Sequence, residues 1–303
     1  MALPNHTSTG ERIWHYCYLV ICALIFLFLI APIIIIMPLS FNAEPYFTFT
    51  QKMITFDPEG YSLRWYDRIL TFGMSNPDIP RDNTWWSDAW SNGQWIHATK
   101  NSIIIGIAST LVATVLGTIA ALGLSRPEMP YRRLIMALMI SPMVVPLIIT
   151  ATGLFFFYSD AGLAHSYPGI ILAHAMLGIP FVIITVTATL VGFDHSLTRA
   201  SASLGADPIT TFRQVILPLI LPGVISGALF AFVTSFDEVV VVLFVASYDQ
   251  QTIPLQMWNG IREQISPTIL AVATILVIFS ILLLTTIEIL RRRAERLRGV
   301  SPG

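Results

Sequence analysis

Charge is what this sequence has least of. Only 12 % of its 303 residues are Asp, Glu, Lys or Arg, about half the roughly 25 % of an average soluble domain. A water-soluble chain of this length needs more charged surface than that, which excludes an ordinary soluble enzyme and equally a disordered chain. The formal net charge of −1 leaves no basic surface for nucleic acid. Cysteine is nearly missing. Cys17 and Cys22 stand five residues apart in one apolar run, so on a helix they point about 140° from each other, which excludes a disulfide or metal pair between them. Motifs of enzyme chemistry are missing too: no Gly-x-x-x-x-Gly-Lys-[Ser/Thr] phosphate loop, no His-Glu-x-x-His and no Gly-x-Ser-x-Gly. His6, His15, His97, His165, His174 and His195 are scattered without metal-ligand spacing.

What is present is apolar sequence: 54 % of the residues are hydrophobic and the mean hydropathy is +0.70. Six stretches, 16–39, 102–124, 134–157, 168–191, 221–245 and 267–290, are long enough to cross a hydrocarbon core of about 30 Å. Helices satisfy their own backbone in lipid, and the runs lack the alternation of a barrel. The expectation is an all-α polytopic membrane protein with six transmembrane helices. The first stretch is too long for the core of a signal peptide and lacks a small-residue cleavage site, so it reads as a retained anchor. Arg12, the arginines of 125–133 and 192–220, and Arg291, Arg292, Arg293, Arg296 and Arg298 alternate with basic-poor segments. By the positive-inside rule both termini are expected in the cytoplasm. The chain then divides into a cytoplasmic N-terminus (1–15), a membrane domain (16–290) and a basic cytoplasmic tail (291–303).

Two loops break the pattern. An external loop, 40–101, holds Trp85, Trp86, Trp90 and Trp95, which suit an aromatic belt with short interfacial helices or a docking surface for an external partner. The cytoplasmic loop 192–220 reads as two short helices around a break. Leu197, Ala200 and Leu204 form one apolar stripe, and Ile209, Phe212 and Ile216 a second. Gly205 supplies a left-handed helix end, and Asp207-Pro208 a cap with a first-turn proline. Such a pair can lie on the membrane, act as a helix-turn-helix, or dock a cytoplasmic partner. Arg213 alone is too little basic charge for a DNA reader, and the stripes are narrow for a membrane anchor.

The order Gly205, nine residues, Val215, one residue, Leu217-Pro218 resembles the EAA motif of binding-protein-dependent ABC transporter permeases. Aligned on Gly205, the Glu-Ala-Ala positions are Arg199, Ala200 and Ser201, so the glutamate of the motif is replaced by arginine. Asn101-Ser102, Gly117-Thr118, Ala120-Ala121 and Ser125-Arg126 are similar to the same family. The resemblance implies a type I importer permease fold in a bacterial inner membrane. It further implies a coupling loop (Arg199, Ala200, Ser201, Leu204, Gly205, Ala206, Asp207, Pro208) seated in a cytoplasmic ATPase dimer, a second permease subunit, an external substrate-binding protein, and ATP and Mg held by the ATPase and not by this chain. Ser235-Phe-Asp-Glu-Val-Val, Ile253-Pro-Leu and Arg262 leading to Ser266-Pro267 resemble, within the family, the second permeases of spermidine/putrescine systems. Opine and amino-acid-derivative importers share a similar pattern.

Asp237 and Glu238 stand inside the fifth stretch. One ionised carboxylate near the bilayer centre costs roughly 2.5–3.5 kcal/mol, so the pair is expected away from lipid. It is either a structural pair or a counter-charge for a cationic substrate, with Asp237 favoured to line the path. Phe155, Phe156, Phe157, Tyr158 and Asp160, together with Phe236 and Trp258, suit either packing or an ammonium site. His174 is a hydrogen-bonded bundle residue or a proton relay. Ala113, Gly117 and Ala121, and Gly223 with Gly227, have the spacing of close helix contacts. Pro32, Pro142, Pro146 and Pro180 mark bends. The expected function is the permease subunit of an ATP-driven importer for a polyamine, with an opine as the alternative cargo. A self-sufficient proton-coupled transporter is the rival of another class.

Overall fold

The computed structural model describes residues 8–126, 128–191, 193–194, 196–263 and 265–297. The helices are, in order, α1 (Thr9–Leu39), α2 (Gln51–Ile54), α3 (Arg64–Thr71), α4 (Asn83–Asn92), α5 (Gln94–Leu124), α6 (Arg132–Ile140), α7 (Leu147–Ala161), α8 (Tyr167–Val191), α9 (Ser196–Ser203), α10 (Pro208–Thr211), α11 (Leu217–Phe236), α12 (Val240–Val245), α13 (Ile253–Glu263) and α14 (Thr268–Leu297). Among the described residues the single isolated β-bridge pairs Asn42 with Tyr61. The chain divides into two units, one from Gly73 to Asn259 and one formed by the described residues on either side of it.

In the second of these, α1 opens on a capping box: Ser8 Oγ accepts the Glu11 amide, and the Glu11 carboxylate accepts the Ser8 amide at 2.7 Å. Most of the apolar side chains of α1 are exposed, as a lipid-facing helix requires. After α1 the chain ties itself down through backbone carbonyls. Asn42 donates to the carbonyls of Tyr46 and Thr48, and the buried Trp65 indole donates to the Asn42 carbonyl at 2.7 Å. The Lys52–Glu59 ion pair at 2.7 Å lies on the surface, where such pairs contribute little. Helix α14 packs against both α1 and α3.

The Gly73–Asn259 unit is built on α5, α8 and α11, each packed against the other two. Lipid tails are as apolar as leucine, so helices in a membrane associate through close fit and not through hydrophobic expulsion. Small side chains provide the fit: Ala113, Ala121, Ala175 and Ala231 are buried beside Val182, Val186 and Ile220. A β-carbon added at Gly117 would lie 2.7 Å from Val182 Cβ, and one added at Gly227 would lie 2.8 Å from Val182 Cα. Gly117 of α5 and Gly227 of α11 thus close on one residue of α8, while Gly223 meets Thr185 and Thr189 of the same helix. A second core gathers Ile105, Tyr158, Ile170, Leu177, Val241 and Val245, where α7 and α12 pack.

Four helical stretches are long and apolar enough to cross a membrane: Thr9–Leu39, Gln94–Leu124, Tyr167–Val191 and Pro208–Phe236. Two of the expected spans are not single helices. The stretch 134–157 is a pair, Arg132–Met143 and Leu147–Ala161, bent by 96°. The bend falls between Pro142 and Pro146, which lack the amides that a continuous ladder needs. The stretch 221–245 is broken after Phe236 and resumes at Val240. The new helix starts on Glu238, whose carboxylate accepts the Val241 amide at 2.9 Å, one of the donors that a helix start leaves unpaired. The sixth stretch begins at Thr268 as expected, with an apolar helix over Thr268–Leu282.

Gly227→Leu is expected to lower the stability of the bundle by about 1–3 kcal/mol or more, the usual cost of overpacking. Thermal unfolding in detergent checks this, with Gly153→Leu as the control, since a β-carbon at Gly153 meets nothing within 4 Å.

Candidate functional site

Two features of the Gly73–Asn259 unit stand out: the exposed knob between α8 and α11, and the helix break that follows α11.

The knob is α9, a turn and α10. Asp194 Oδ1 accepts the Ser196 amide at 2.8 Å and starts α9. Gly205 ends it with φ +81°, and a β-carbon there would meet nothing within 4 Å. Its left-handed backbone, and not a lack of space, is therefore what asks for glycine. Asp207 Oδ1 then accepts the Thr210 amide at 2.7 Å, and this bond holds the carboxylate below its ordinary range. The hydroxyls of Ser201 and Thr211, 2.8 Å apart, pin the two helices together. With the backbone satisfied internally, the apolar side chains are left outside: Leu204 is 88 % exposed and Ile209 69 %. Arg199, Ala200 and Pro208 are exposed beside them, while Ser201 and Ala206 are half-buried. Leu197, Ala200 and Leu204 are all exposed, as the expected stripe requires. From Phe212 to Ile216 the chain makes a π-helical turn and runs on into α11.

The break separates the acidic pair. Asp237 is exposed, whereas Glu238 is 7 % exposed and occupied with the Val241 amide. Each end of α12 is tied down. Its last carbonyl, on Val245, accepts the His165 amide at 2.9 Å, and Gln250 Nε2 donates to the His165 carbonyl at 2.9 Å. Asn101 Nδ2 donates to the carbonyls of Asp249 and Gln251 while its Oδ1 accepts the Tyr167 hydroxyl at 2.7 Å. Before the break, Ser235 Oγ lies 2.8 Å from His174 Nδ1 and 2.9 Å from Ser109 Oγ, all three side chains being buried. His174 is thus a hydrogen-bonded bundle residue. Ser109 and Ser235 were not among the expected site residues. Ser235 alone carried a signal, as the one hydroxyl among buried positions of α11 that are otherwise apolar (Ile220, Gly223, Gly227 and Ala231).

The remaining expected path residues are dispersed. Tyr158 is 5 % exposed within the apolar core formed by α7, α8 and α12, so it packs and does not line an open surface. Its direction on α7 follows from that packing, which periodicity alone does not reveal. Asp160 and Trp258 are exposed, and Phe236 is half-buried with its ring stacked on Phe232 at 5.5 Å. Of the four tryptophans, Trp85 and Trp95 are buried, and Trp86 and Trp90 exposed. The Trp85 indole donates to the Pro77 carbonyl at 3.1 Å, and Lys100 lies 4.4 Å from the Trp90 ring.

An all-helical, multi-pass membrane protein with an exposed helical knob between two of its apolar helices is the class that these features define. The chain belongs to the family of binding-protein-dependent transport system inner membrane components, which matches residues 113–297. It is 28 % identical over 269 residues to the spermidine/putrescine transport system permease protein PotC of Haemophilus influenzae, covering 89 % of this chain and 94 % of that one. It is 31 % identical over 265 residues to the putrescine transport system permease protein PotI of Escherichia coli, covering 85 % and 84 %. Among solved structures it resembles a chain of a bacterial ABC transporter involved in the import of the acidic polysaccharide alginate. That match has a TM-score of 0.69 at 16 % identity, over 94 % of this chain and 99 % of that one, and it bears on the fold alone. This chain is therefore an ABC importer permease of the inner membrane.

Asp207→Ala is expected to speed amide exchange over Thr210–Ile216 about three- to tenfold, as loss of a helix cap does. Asp207→Asn, which keeps the accepting oxygen, is expected to stay near the parent rate. Hydrogen–deuterium exchange of the purified protein reads both.

Proposed function

We propose that this permease forms half of the membrane pathway of an ATP-driven polyamine importer. It would pair with a second permease subunit, receive substrate from an external binding protein and be switched by a cytoplasmic ATPase dimer. The observation that carries the cargo assignment is the break after α11. It leaves one carboxylate, Asp237, exposed at membrane depth while its neighbour Glu238 is consumed by the backbone. An ionised carboxylate is costly in contact with lipid, so the exposed side of Asp237, at the end of the span-forming stretch, belongs on a wet path shared with the partner subunit, where a cation is its natural counter-charge. The relatives named for putrescine and spermidine carriage agree with that charge. Asp160 and Trp258 are the other exposed candidates on this path.

The knob is the element that would meet the ATPase. Leu204 and Ile209 are exposed among the described residues, and an apolar anchor on a turn is what a cleft in a partner receives. Arg199 stands where the family motif has glutamate, so the contact there is of opposite sign and calls for an acidic or carbonyl-lined partner surface. With the knob in the cytoplasm, both termini would lie on the same side and the six apolar stretches would serve as spans, a reading that the distribution of basic residues supports.

Uptake of radiolabelled putrescine and spermidine by the complete importer in proteoliposomes tests the reading. Asp237→Asn is expected to lower uptake about tenfold or more, in keeping with loss of a charge-assisted contact. Undiminished uptake would remove Asp237 from the path. Transport of an opine in preference to either amine would overturn the cargo, and uptake by this chain alone under a proton gradient would overturn the ABC mechanism. Gly205→Asp is expected to abolish co-purification of the ATPase while the melting temperature of the membrane domain is kept; intact complex with normal uptake would refute the docking role.

A further inference from the structure

The end of α11 is held by a contact that packing alone does not require. Ser235 is the last buried residue before the break, and its hydroxyl stands between His174 Nδ1 on α8, at 2.8 Å, and Ser109 Oγ on α5, at 2.9 Å. One hydroxyl has the donor and acceptor capacity to serve both at once, accepting from Ser109 and donating to a neutral imidazole. The surroundings are apolar and tightly packed. Ala173 and Val241 are fully buried nearby in the chain, and His174 Nε2 is buried with no hydrogen-bond partner among the described residues. A histidine kept there at the cost of an unsatisfied nitrogen is poorly explained by bundle stability, because an apolar side chain of similar size would avoid that penalty. Its one bonded atom faces the residue two places before Asp237.

We infer that His174 and Ser109 are positioning residues for transport: through Ser235 they set where α11 stops, and with it where Phe236 and Asp237 face the path. The inference rests on the pathway reading of Asp237 given above. Phe236 is the last residue of α11, and the Asp237 amide still donates to the Val233 carbonyl at 3.0 Å, with Asp237 at φ −93°, ψ 0° and Val239 at φ −113°, ψ −43°. The next fixed point is the Glu238–Val241 bond. Asp237 thus closes the last turn of α11 with its own amide, and stands between the Ser235 hydroxyl before it and the Glu238 carboxylate after it. Loosening the first lets the exposed carboxylate wander while the three-helix contact at Val182 stays closed.

The test uses the complete importer with its binding protein in proteoliposomes, and reads amine uptake and ATP hydrolysis in the same vesicles. Ser235→Ala and His174→Ala are each expected to lower the amine carried per ATP hydrolysed about five- to tenfold, the worth of one buried hydrogen bond, with hydrolysis stimulated by the binding protein largely kept. The double variant is expected to be no worse than either single one, as for two ends of one interaction. His174→Asn, whose amide supplies a polar atom near the Nδ1 position, is expected to restore at least half of the loss. Unchanged coupling in Ser235→Ala would overturn the inference. A parallel fall of uptake, hydrolysis and complex yield in both single variants would do so too, since that is the mark of a purely structural bond. Asp237→Asn, run alongside, separates the two readings: normal transport there removes the path assignment, whereas impaired transport there with normal Ser235→Ala and His174→Ala removes only the positioning role.

Discussion

The structure depends on the approach of α8 to α5 and α11 at Val182. Gly117 from one side and Gly227 from the other leave no room for a β-carbon against that residue. In water a core of large side chains would be squeezed together by hydrophobic burial. In lipid that force is absent between helices, so contact area at short range must replace it. Two glycines closing on one valine bring backbones within reach of each other. At that separation the buried hydroxyls of Ser109 and Ser235 and the imidazole of His174 meet across three helices. Polar bonding follows from the close fit: with bulkier residues at 117 or 227, the hydroxyl contacts would be out of range.

The same close fit sets where the chain is free to depart from helix. Along α11 the helix is continuous while it touches α8 and α5, and it ends at Phe236, one residue beyond Ser235. From there the side chain of Glu238 replaces the backbone ladder, and α12 starts afresh under a roof of apolar contacts to α7 and α8. Non-helical backbone at membrane depth is tolerated where protein buries it or where it lines a wet cavity. Here Glu238 meets the first condition. Asp237, next to it, is exposed.

Much of this was legible in the sequence. Apolar length placed α1, α5, α8, α11 and the start of α14, because crossing a hydrocarbon layer is a one-dimensional requirement. The turn at Gly205 and the cap at Asp207 were legible because their causes are local: a left-handed φ and an oxygen three residues before an amide. The small-residue spacings of Gly117 and Gly227 showed that helices would meet closely, though not that they would meet on Val182. Both helix breaks escaped. A hydropathy window over 134–157 or 221–245 registers side chains and is blind to whether the amides behind them are bonded. At Pro142 and Pro146 the clue was present and was read as a bend within one span. For Glu238 a structural role and a counter-charge role were both open, and its carboxylate accepts the Val241 amide. For Tyr158 packing and an ammonium site were both open, because its side of α7 is set by Ile170, Leu177 and Val245, which are distant in sequence.

Division of labour between adjacent residues is the pattern that connects the two ends of the molecule. In the knob, Gly205 and Asp207 satisfy the turn internally, and Leu204 and Ile209 are left exposed. At the break, Ser235 and Glu238 satisfy the ends of two helices, and this is what leaves Asp237 unabsorbed. A chain with so few charges has little polar surface to spare, so its functional groups are those whose hydrogen bonds have been taken over by a neighbour. The two sites lie at opposite ends of one continuous helical stretch, Pro208–Phe236. The contact at Val182 falls between them, where Gly227 of that stretch meets α8.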